Sequence, residues 1–156
     1  MRSEGRGRVH LAMKALSYKL VEDQSELRGA FEVRRRVFVE EQGIAEGLVF
    51  DGNDGEALHA VVRHGTEVIG TARVRLLSSR RAKLERMAVL DGCRRQGIGS
   101  RVTFFVVGEL KERGVEEVVL HAQCAVVPFY KSCGFDEIGL PFLEAGVEHI
   151  EMQRRV

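Results

Sequence analysis

The stretch KLERMAVLDGCRRQGIGSRVTFFVVGELKE, residues 83–112, decides the fold of this chain. Its first part, residues 83–90, has the composition of a buried strand and runs into the turn-forming pair Asp91-Gly92. After Gly97, apolar residues recur at the spacing of a helix with one buried face, at Ile98, Val102, Phe105, Val106 and Leu110. The stretch therefore predicts a strand, a tight loop and an amphipathic helix.

The loop between the strand and the helix has the composition of an anion-binding site. It contains Arg94, Arg95 and two glycines, Gly97 and Gly99, which let backbone N–H groups approach a ligand at a helix N-terminus. Such glycines also occur in ordinary tight turns, so the spacing alone leaves both interpretations open. A full dinucleotide fingerprint would need a third glycine, where this chain has Val102, and a Walker A loop would need Gly-Lys-Ser/Thr. Both nucleotide folds are therefore disfavoured, and a pyrophosphate would fit the loop.

Composition restricts the class of protein. The 156 residues, 44% of them hydrophobic, suffice for one domain with a proper core. Lys and Arg number 24 against 23 Asp and Glu, which gives no overall field for nucleic acid or an anionic membrane. The cysteines, Cys93, Cys124 and Cys133, have neither disulfide-framework nor zinc-ligand spacing. We therefore expect a cytoplasmic protein that binds neither a metal ion, nucleic acid nor a membrane.

The other segments predict a mixed α/β order of elements. Residues 1–13 are rich in Gly and Arg and predict a disordered tail before a single domain at residues 14–156, with Met13 as a candidate natural start. Strands are predicted at 15–21, 57–63, 67–77, 83–90, 117–121, 135–138 and 147–153. Helices are predicted from Asp23 or Ser25 to about Gly43, from Gly97 to Gly114, and over residues 125–132.

Two charged segments have simple interpretations. The run Arg34-Arg35-Arg36 in the first helix is expected to point mostly to solvent. The polar loop at residues 44–56 contains Asp51-Gly52-Asn53-Asp54-Gly55, but it lacks the twelfth-position glutamate of an EF-hand, so no calcium site is predicted.

From about Ala15 to the C-terminus, the chain resembles the GNAT N-acetyltransferases, most closely small bacterial members of the ElaA-like branch. The Arg-x-x-Gly-x-Gly loop is similar to the family's pyrophosphate-binding signature. Further similar blocks are Val37-Phe38-Val39-Glu40-Glu41-Gln42, Lys83-Leu84-Glu85-Arg86-Met87-Ala88-Val89, His121-Ala122-Gln123, Val127-Pro128-Phe129-Tyr130 with Gly134-Phe135, and Glu144-Ala145-Gly146-Val147-x-His149. The resemblance implies the α/β GNAT fold of mixed α+β layers, with a mostly antiparallel sheet that is splayed at the strand before the phosphate loop and flanked by helices.

The resemblance also implies the chemistry. The donor would be acetyl-CoA, and its acetyl group would pass to a primary amine of a small molecule or protein by direct attack in a ternary complex. A backbone N–H near Met87 would face the developing oxyanion. The implied donor-binding residues are Met87, Ala88 and Val89 of the strand and Arg94, Arg95, Gln96, Gly97, Ile98, Gly99 and Ser100 of the loop.

Glu85 and Tyr130 are the candidate catalytic residues. An amine with a pKa of about 10.4 is protonated at pH 7, and removing its proton costs roughly 4 to 5 kcal/mol. Glu85 lies two residues before Met87, so alternation puts both side chains on one face and makes Glu85 a candidate base. It could instead pair with Arg73 or Arg75 on the neighbouring strand. Tyr130 matches the tyrosine that GNAT enzymes place beside the sulfur, where it would donate a hydrogen bond to the leaving thiolate, although packing in the core is its alternative role.

The sequence indicates several residues that could line the pocket for the acceptor amine. Residues that could line it are Glu41, Gln42, His121, Gln123 and His149, with His59 as a further histidine of structural type. Direct transfer needs no cysteine nucleophile, so Cys124 and Cys133 receive no catalytic role. An acyl-homoserine-lactone synthase-like enzyme and a non-catalytic acetyl-CoA sensor are the alternatives, and a homodimer is common in such folds.

Overall fold

The computed structural model describes residues 15–156, so the predicted tail and the Met13 start lie outside the described residues. Seven strands form one sheet: β1 (Leu16–Leu20), β2 (Leu58–His64), β3 (Glu67–Leu76), β4 (Arg81–Val89), β5 (Glu117–Gln123), β6 (Asp136–Glu144) and β7 (Val147–Arg155). Their order in the sheet is β1-β2-β3-β4-β5-β7-β6. Neighbouring strands run antiparallel except β4 and β5, which are parallel. The predicted fold class, mixed α/β with a mostly antiparallel sheet, is confirmed.

Helices cover both faces of this sheet. They are α1 (Gln24–Arg34), which continues as a π-helical stretch (Arg35–Glu41), α2 (Glu46–Val49), α3 (Ile98–Glu112) and α4 (Val127–Ser132). Within β2, the side chain of His59 packs against Phe31 of α1. Val62 points to the opposite face, because its cross-strand partner Tyr18 packs against Phe105 of α3. We call these the α1 face and the α3 face. In the described part of the chain, no helix is both long enough and apolar enough to cross a membrane.

The start of α1 shows which candidate residue caps the helix. Asp23 has an extended backbone, with φ of −138°, and its carboxylate accepts a hydrogen bond of 2.8 Å from the backbone N–H of Glu26. We expect Asp23→Ala to lower the free energy of unfolding by about 1 kcal/mol, because that N–H loses its partner. Urea denaturation would measure the change. Ser25→Ala, at the other candidate position, is the matched control and should shift stability by less than about 0.5 kcal/mol. Equal effects of the two variants would contradict the assignment.

Arg34 corrects the prediction that the arginine run points mostly outward. Its side chain is 0% exposed, and its guanidinium donates to Asp54 Oδ1 at 2.7 Å and to His59 Nδ1 at 3.1 Å. Arg35 lies at the surface between Glu32 and Glu40. Burial of an arginine requires a partner, and the partners of Arg34 come from a distant loop and strand that helical periodicity does not reveal.

Strand β6 is longer than predicted and contains Pro141, which lies outside the strands predicted at 135–138 and 147–153. A proline is tolerated there because β6 is the last strand of the sheet and has one unpaired edge. The pairing of β6 with β7 shifts register between Ile138 and Phe142, where Gly139 has a φ of +73°. Strand β6 ends at Glu144 and β7 begins at Val147, so Ala145 and Gly146 form the tight turn between them.

Candidate active site

Strands β4 and β5 separate to form a wedge-shaped cleft. They pair over only three residues each, Arg81–Lys83 with Glu117–Val119, whereas β4 continues to Val89 and β5 to Gln123. At the point of separation Arg86 adopts a φ of +51°, and the register of β3 with β4 shifts. Such a bulge bends the strand and changes its side-chain alternation. The divergence exposes peptide groups of β4 toward the cleft, as the predicted splayed sheet requires.

The bulge overturns one detail of the sequence prediction. Glu85 and Met87 were expected on the same face, but Glu85 contacts Arg73 and Met87 Sδ accepts a hydrogen bond of 3.5 Å from Thr103 of α3. The extra residue at Arg86 resets the period of two, so Glu85 points to the α1 face and Met87 points to the α3 face.

The phosphate-loop candidate follows β4 and leads into α3. Gly97 caps α3 in the left-handed conformation, with φ of +78°, and the first helical bond runs from Arg101 N to Gly97 O. Among the described residues no side chain caps this end, so the N–H groups of the first turn, at Ile98, Gly99 and Ser100, remain open to a ligand. The side chain of Ile98 is buried in the core, which leaves only its backbone for such a role.

Gly99 gives the loop a second constraint. A Cβ at this position would lie 3.3 Å from the ring of Phe129 in α4, tighter than ordinary packing. The missing side chain thus lets Phe129 of α4 approach the start of α3, and Tyr130 is the next residue of α4. Ser100 is on the same side of α3, with its Oγ 3.8 Å from Cys133 Sγ.

Arg94 and Glu41, predicted for opposite sides of the site, form a pair. Both terminal nitrogens of Arg94 donate to the Glu41 carboxylate, at 2.6 and 2.7 Å, and Nε donates to the backbone oxygen of Val89 at 2.9 Å. The hydrogen bond to Glu41 raises the pKa of Arg94. Arg94 therefore joins the end of the π-helical stretch to the phosphate loop, and it occupies the Val89 carbonyl. Arg95 is exposed in the loop, with φ of +62°, and Gln42 is exposed beside Glu41.

Glu85 pairs with Arg73 and Arg75, which was the alternative to a role as the catalytic base. Its Oε2 accepts from Nε of Arg73 at 2.8 Å and makes a further contact with Nη2, while Oε1 accepts from Arg75 at 2.6 and 3.0 Å. The ammonium of Lys83 lies 3.4 Å from the same carboxylate. Burial would raise the pKa of Glu85, but hydrogen bonds from Arg75 and Arg73 outweigh it and lower the pKa. A carboxylate held in this way is a poor proton acceptor.

The polar loop at residues 44–56 closes over these arginines. Asp51 accepts from Arg73 at 2.7 and 2.9 Å, and Asp54 contacts Arg34 at 2.7 Å and Arg73 at 3.1 Å. The hydrogen bond from Arg73 holds the pKa of Asp51 well below its usual range. We call Arg34, Arg73, Asp51, Asp54 and Glu85 the buried ion cluster. The sequence predicted only the pairing of Glu85 with Arg73 or Arg75, as an alternative; the contacts of Arg34 and Arg73 with the acidic loop were not predicted.

His59 completes the wall of this cluster. Its Nδ1 accepts from Arg34, so Nε2 carries the hydrogen and donates to the backbone oxygen of Asp54 at 3.0 Å. Burial lowers the pKa of His59 and keeps the imidazole neutral. His59 is thus a satisfied structural histidine.

Tyr130 lies in an aromatic group on the α3 face. Its ring centroid is 4.9 Å from that of Phe129 and 6.0 Å from that of Phe135. Burial raises the pKa of the Tyr130 hydroxyl, so the phenol keeps its proton at neutral pH. This packing is the alternative role predicted for Tyr130, and it is compatible with a hydroxyl that donates a hydrogen bond.

Three of the predicted acceptor-side residues lie together on the α1 face of β5 and β7. Gln123 pairs with His149 across the strands, and His121 lies two residues before Gln123. Glu144 of β6 joins the group: its Oε1 is 3.2 Å from Nδ1 of His121, and its Oε2 is 3.6 Å from Nε2 of His149. The sequence motif contained Glu144, but its contact with both histidines depends on the β6–β7 hairpin.

Comparison with known proteins identifies the family. Residues 36–156 match the model of an acetyltransferase (GNAT) domain. The uncharacterised N-acetyltransferase YjcF of Bacillus subtilis is 33% identical over 143 residues, which cover 91% of this chain and 99% of YjcF. Escherichia coli ElaA shares the fold, with a TM-score of 0.80, 24% identity, and 89% and 99% of the two chains covered. An Elizabethkingia anophelis GNAT acetyltransferase, solved with acetyl-CoA bound, has a TM-score of 0.73 at 14% identity, with 91% and 99% covered. The chain therefore belongs to the GNAT acetyltransferase family.

Proposed function

We propose that this protein is an N-acetyltransferase that moves the acetyl group of acetyl-CoA to a primary amine of a small molecule or protein, by direct attack in a ternary complex. One observation carries the proposal: the cleft between β4 and β5 leads to the open N-terminus of α3. The cleft presents peptide groups of β4 along its wall, and the anion site lies at its end, at the start of α3. Acetyl-CoA presents amides along its pantetheine arm and then a pyrophosphate, and the related Elizabethkingia protein binds it.

The chain's own groups divide the work of holding this donor. The N–H groups of Ile98, Gly99 and Ser100 would bind the pyrophosphate, helped by the exposed charge of Arg95. The backbone N–H of Met87 would face the carbonyl oxygen as it gains negative charge. Because Arg94 already binds Glu41 and the Val89 carbonyl, its contribution is to fix the loop's position.

Tyr130 is proposed to donate a hydrogen bond to the sulfur as the thiolate leaves. Its raised pKa makes it a weaker acid than a thiol with pKa of about 8.5, so it stabilises the thiolate and keeps its own proton. Glu85 serves the site differently, because it holds Arg73 and Arg75 against β4.

The free thiols of all three cysteines support a reducing compartment such as the cytoplasm.

Calorimetric titration with acetyl-CoA tests the donor site. We expect Gly97→Glu to weaken binding at least about tenfold, because the new carboxylate repels the pyrophosphate at the helix N-terminus. Gly114→Glu is a matched control. Gly114 also has a left-handed backbone with open space around it, but it lies beyond the other end of the 15-residue helix α3, about 22 Å away.

Two outcomes would contradict the donor site. One is a wild-type protein that does not bind acetyl-CoA. The other is an equal loss of affinity in the two glycine variants, since that would show a general effect of charge or of backbone strain. Circular dichroism of each variant confirms that the fold is retained.

A further inference from the structure

The proposed reaction leaves one task without a residue, which is to remove a proton from the acceptor ammonium. Glu85 faces three cations, Arg73, Arg75 and Lys83, and both of its oxygens accept hydrogen bonds. The residues on the α1 face of β5 and β7 differ in this respect. There the side-chain partners of the Glu144 carboxylate are two histidines, with no arginine or lysine within ion-pair distance in the described chain.

The contact between His121 and Glu144 determines which ring nitrogen can accept a proton. An ionised carboxylate only accepts hydrogen bonds, so the 3.2 Å contact places the ring hydrogen on Nδ1 of His121. Nε2 then carries the lone pair, and it has no hydrogen-bond partner within residues 15–156. A histidine with one nitrogen fixed by a carboxylate and the other open is the arrangement of a general base.

The position of His121 puts it at the cleft. The last paired residues of β4 and β5 are Lys83 and Val119, and His121 is the next residue of β5 whose side chain shares the face of Val119. It therefore lies on the same face as Glu85, where the two strands begin to diverge. Its side chain is 28% exposed, so an incoming amine can reach it while most of the ring stays packed.

His149 is placed differently, although it shares the same carboxylate. Its Nδ1 donates to the backbone oxygen of Val147 at 2.7 Å, so its lone pair is on Nε2. That nitrogen faces Glu144 at 3.6 Å, and the side chain is only 10% exposed. Phe142 packs against both imidazoles, with centroids 5.0 Å from His121 and 6.1 Å from His149, and restrains both rings.

We propose that His121 is the catalytic base of this enzyme and that Glu144 is the residue that positions it. The inference rests on the proposed N-acetyltransferase function. Nε2 of His121 takes one proton from the acceptor ammonium, and the freed electron pair of the amine forms the C–N bond with the thioester carbonyl carbon. The C–S bond breaks and its electron pair stays on sulfur. The nitrogen loses its second proton as the amide forms, and that proton neutralises the thiolate through solvent, while His121 releases the first to solvent.

The charges around His121 suit this cycle. Glu144 of β6 and Glu151 of β7, the cross-strand partner of His121, are the acidic groups on its side, and His149 is the other titratable ring. Arg81 lies 3.6 Å from Glu151, while Glu85 across the cleft carries its own cations. Glu144 therefore holds Nδ1 of His121 while Nε2 accepts the proton.

Two measurements test the inference. The first is the ¹⁵N NMR spectrum of the histidine rings, which needs no substrate. We expect the neutral His121 ring to carry its hydrogen on Nδ1 in the wild type and to lose that preference in Glu144→Ala. A ring with its hydrogen on Nε2 in the wild type would overturn the inference, because that nitrogen could not then act as the base.

The second measurement is the release of coenzyme A thiol with acetyl-CoA and a panel of primary amines. We expect His121→Gln to lower kcat about 100-fold with little change in acetyl-CoA affinity, and imidazole to restore part of the activity of His121→Ala. His64→Gln, which replaces a partly exposed histidine at the end of β2, is the control and should retain wild-type kcat. Wild-type activity in His121→Gln would overturn the base while leaving the proposed function intact. No thiol release by the wild type with any amine would overturn both.

Discussion

Replacing Arg73 with methionine is expected to lower the free energy of unfolding by about 3 to 5 kcal/mol, because it removes the buried cation that three carboxylates share, one of them the buried Glu85. The side chain of Arg73 is 0% exposed and donates to Asp51, Asp54 and Glu85 at once. Methionine fills much of the volume of the arginine side chain. The loss of stability therefore measures the missing charge more than the effect of a cavity. Urea denaturation followed by circular dichroism gives the number.

Arg80 provides the matched control for this substitution. Its side chain is 75% exposed, and its nearest acidic partner, Glu116, is 3.8 Å away, so Arg80→Met should cost less than about 1 kcal/mol. A double variant sharpens the test: Arg73→Met with Glu85→Leu should lose less than the sum of the two single variants, because it removes both members of the closest pair. Equal losses in Arg73→Met and Arg80→Met would contradict the importance of the buried ion cluster.

Replacing Tyr130 with phenylalanine is expected to lower kcat about 10- to 100-fold, since a hydrogen bond to a charged group contributes about 1.5 to 3 kcal/mol. The hydroxyl would interact with the sulfur mainly after negative charge develops there, so the affinity for acetyl-CoA should remain close to that of wild type. Phenylalanine preserves the ring contacts with Phe129 and Phe135. Steady-state kinetics together with calorimetric binding separates the two effects.

The second tyrosine of the chain makes a suitable control for Tyr130. The hydroxyl of Tyr18 is buried without a hydrogen-bond partner in the described structure, and its ring packs against Phe105. Removing it in Tyr18→Phe leaves no group unpaired, so both stability and kcat should stay at or above the wild-type level. A full wild-type kcat in Tyr130→Phe would remove Tyr130 from the mechanism and leave it with a packing role.

The local features of this fold could be predicted from sequence because they depend on nearby residues. The spacing of apolar residues after Gly97 predicted α3, which begins at Ile98, and Gly114 was expected just beyond its end. Gly114 indeed has a φ of +84° and follows the C-cap residue Arg113. Strand-to-helix order and glycine geometry are encoded within a few residues, so a single chain suffices to find them.

The charged contacts could not be predicted in the same way because their partners are far apart in the chain. Arg34 meets Asp54 at a separation of 20 residues, and Arg94 meets Glu41 at a separation of 53. The bulge at Arg86 is equally invisible, since nothing in its side chain favours a positive φ. These three features determine how the carboxylates around the cleft are paired, so the sequence predicted the strand-loop-helix unit more fully than the arrangement of charges around it.

The anchoring of the loop at residues 44–56 has a consequence for how related enzymes can acquire new acceptors. Asp51 and Asp54 are fixed by buried arginines, whereas Leu48, Gly52 and Asn53 are exposed. Substitutions at the exposed positions change the wall beside the cleft at little cost in folding free energy, while loss of either aspartate removes a carboxylate partner from a buried guanidinium. Divergence in substrate choice should therefore accumulate at the exposed positions of this loop and spare the two anchors themselves.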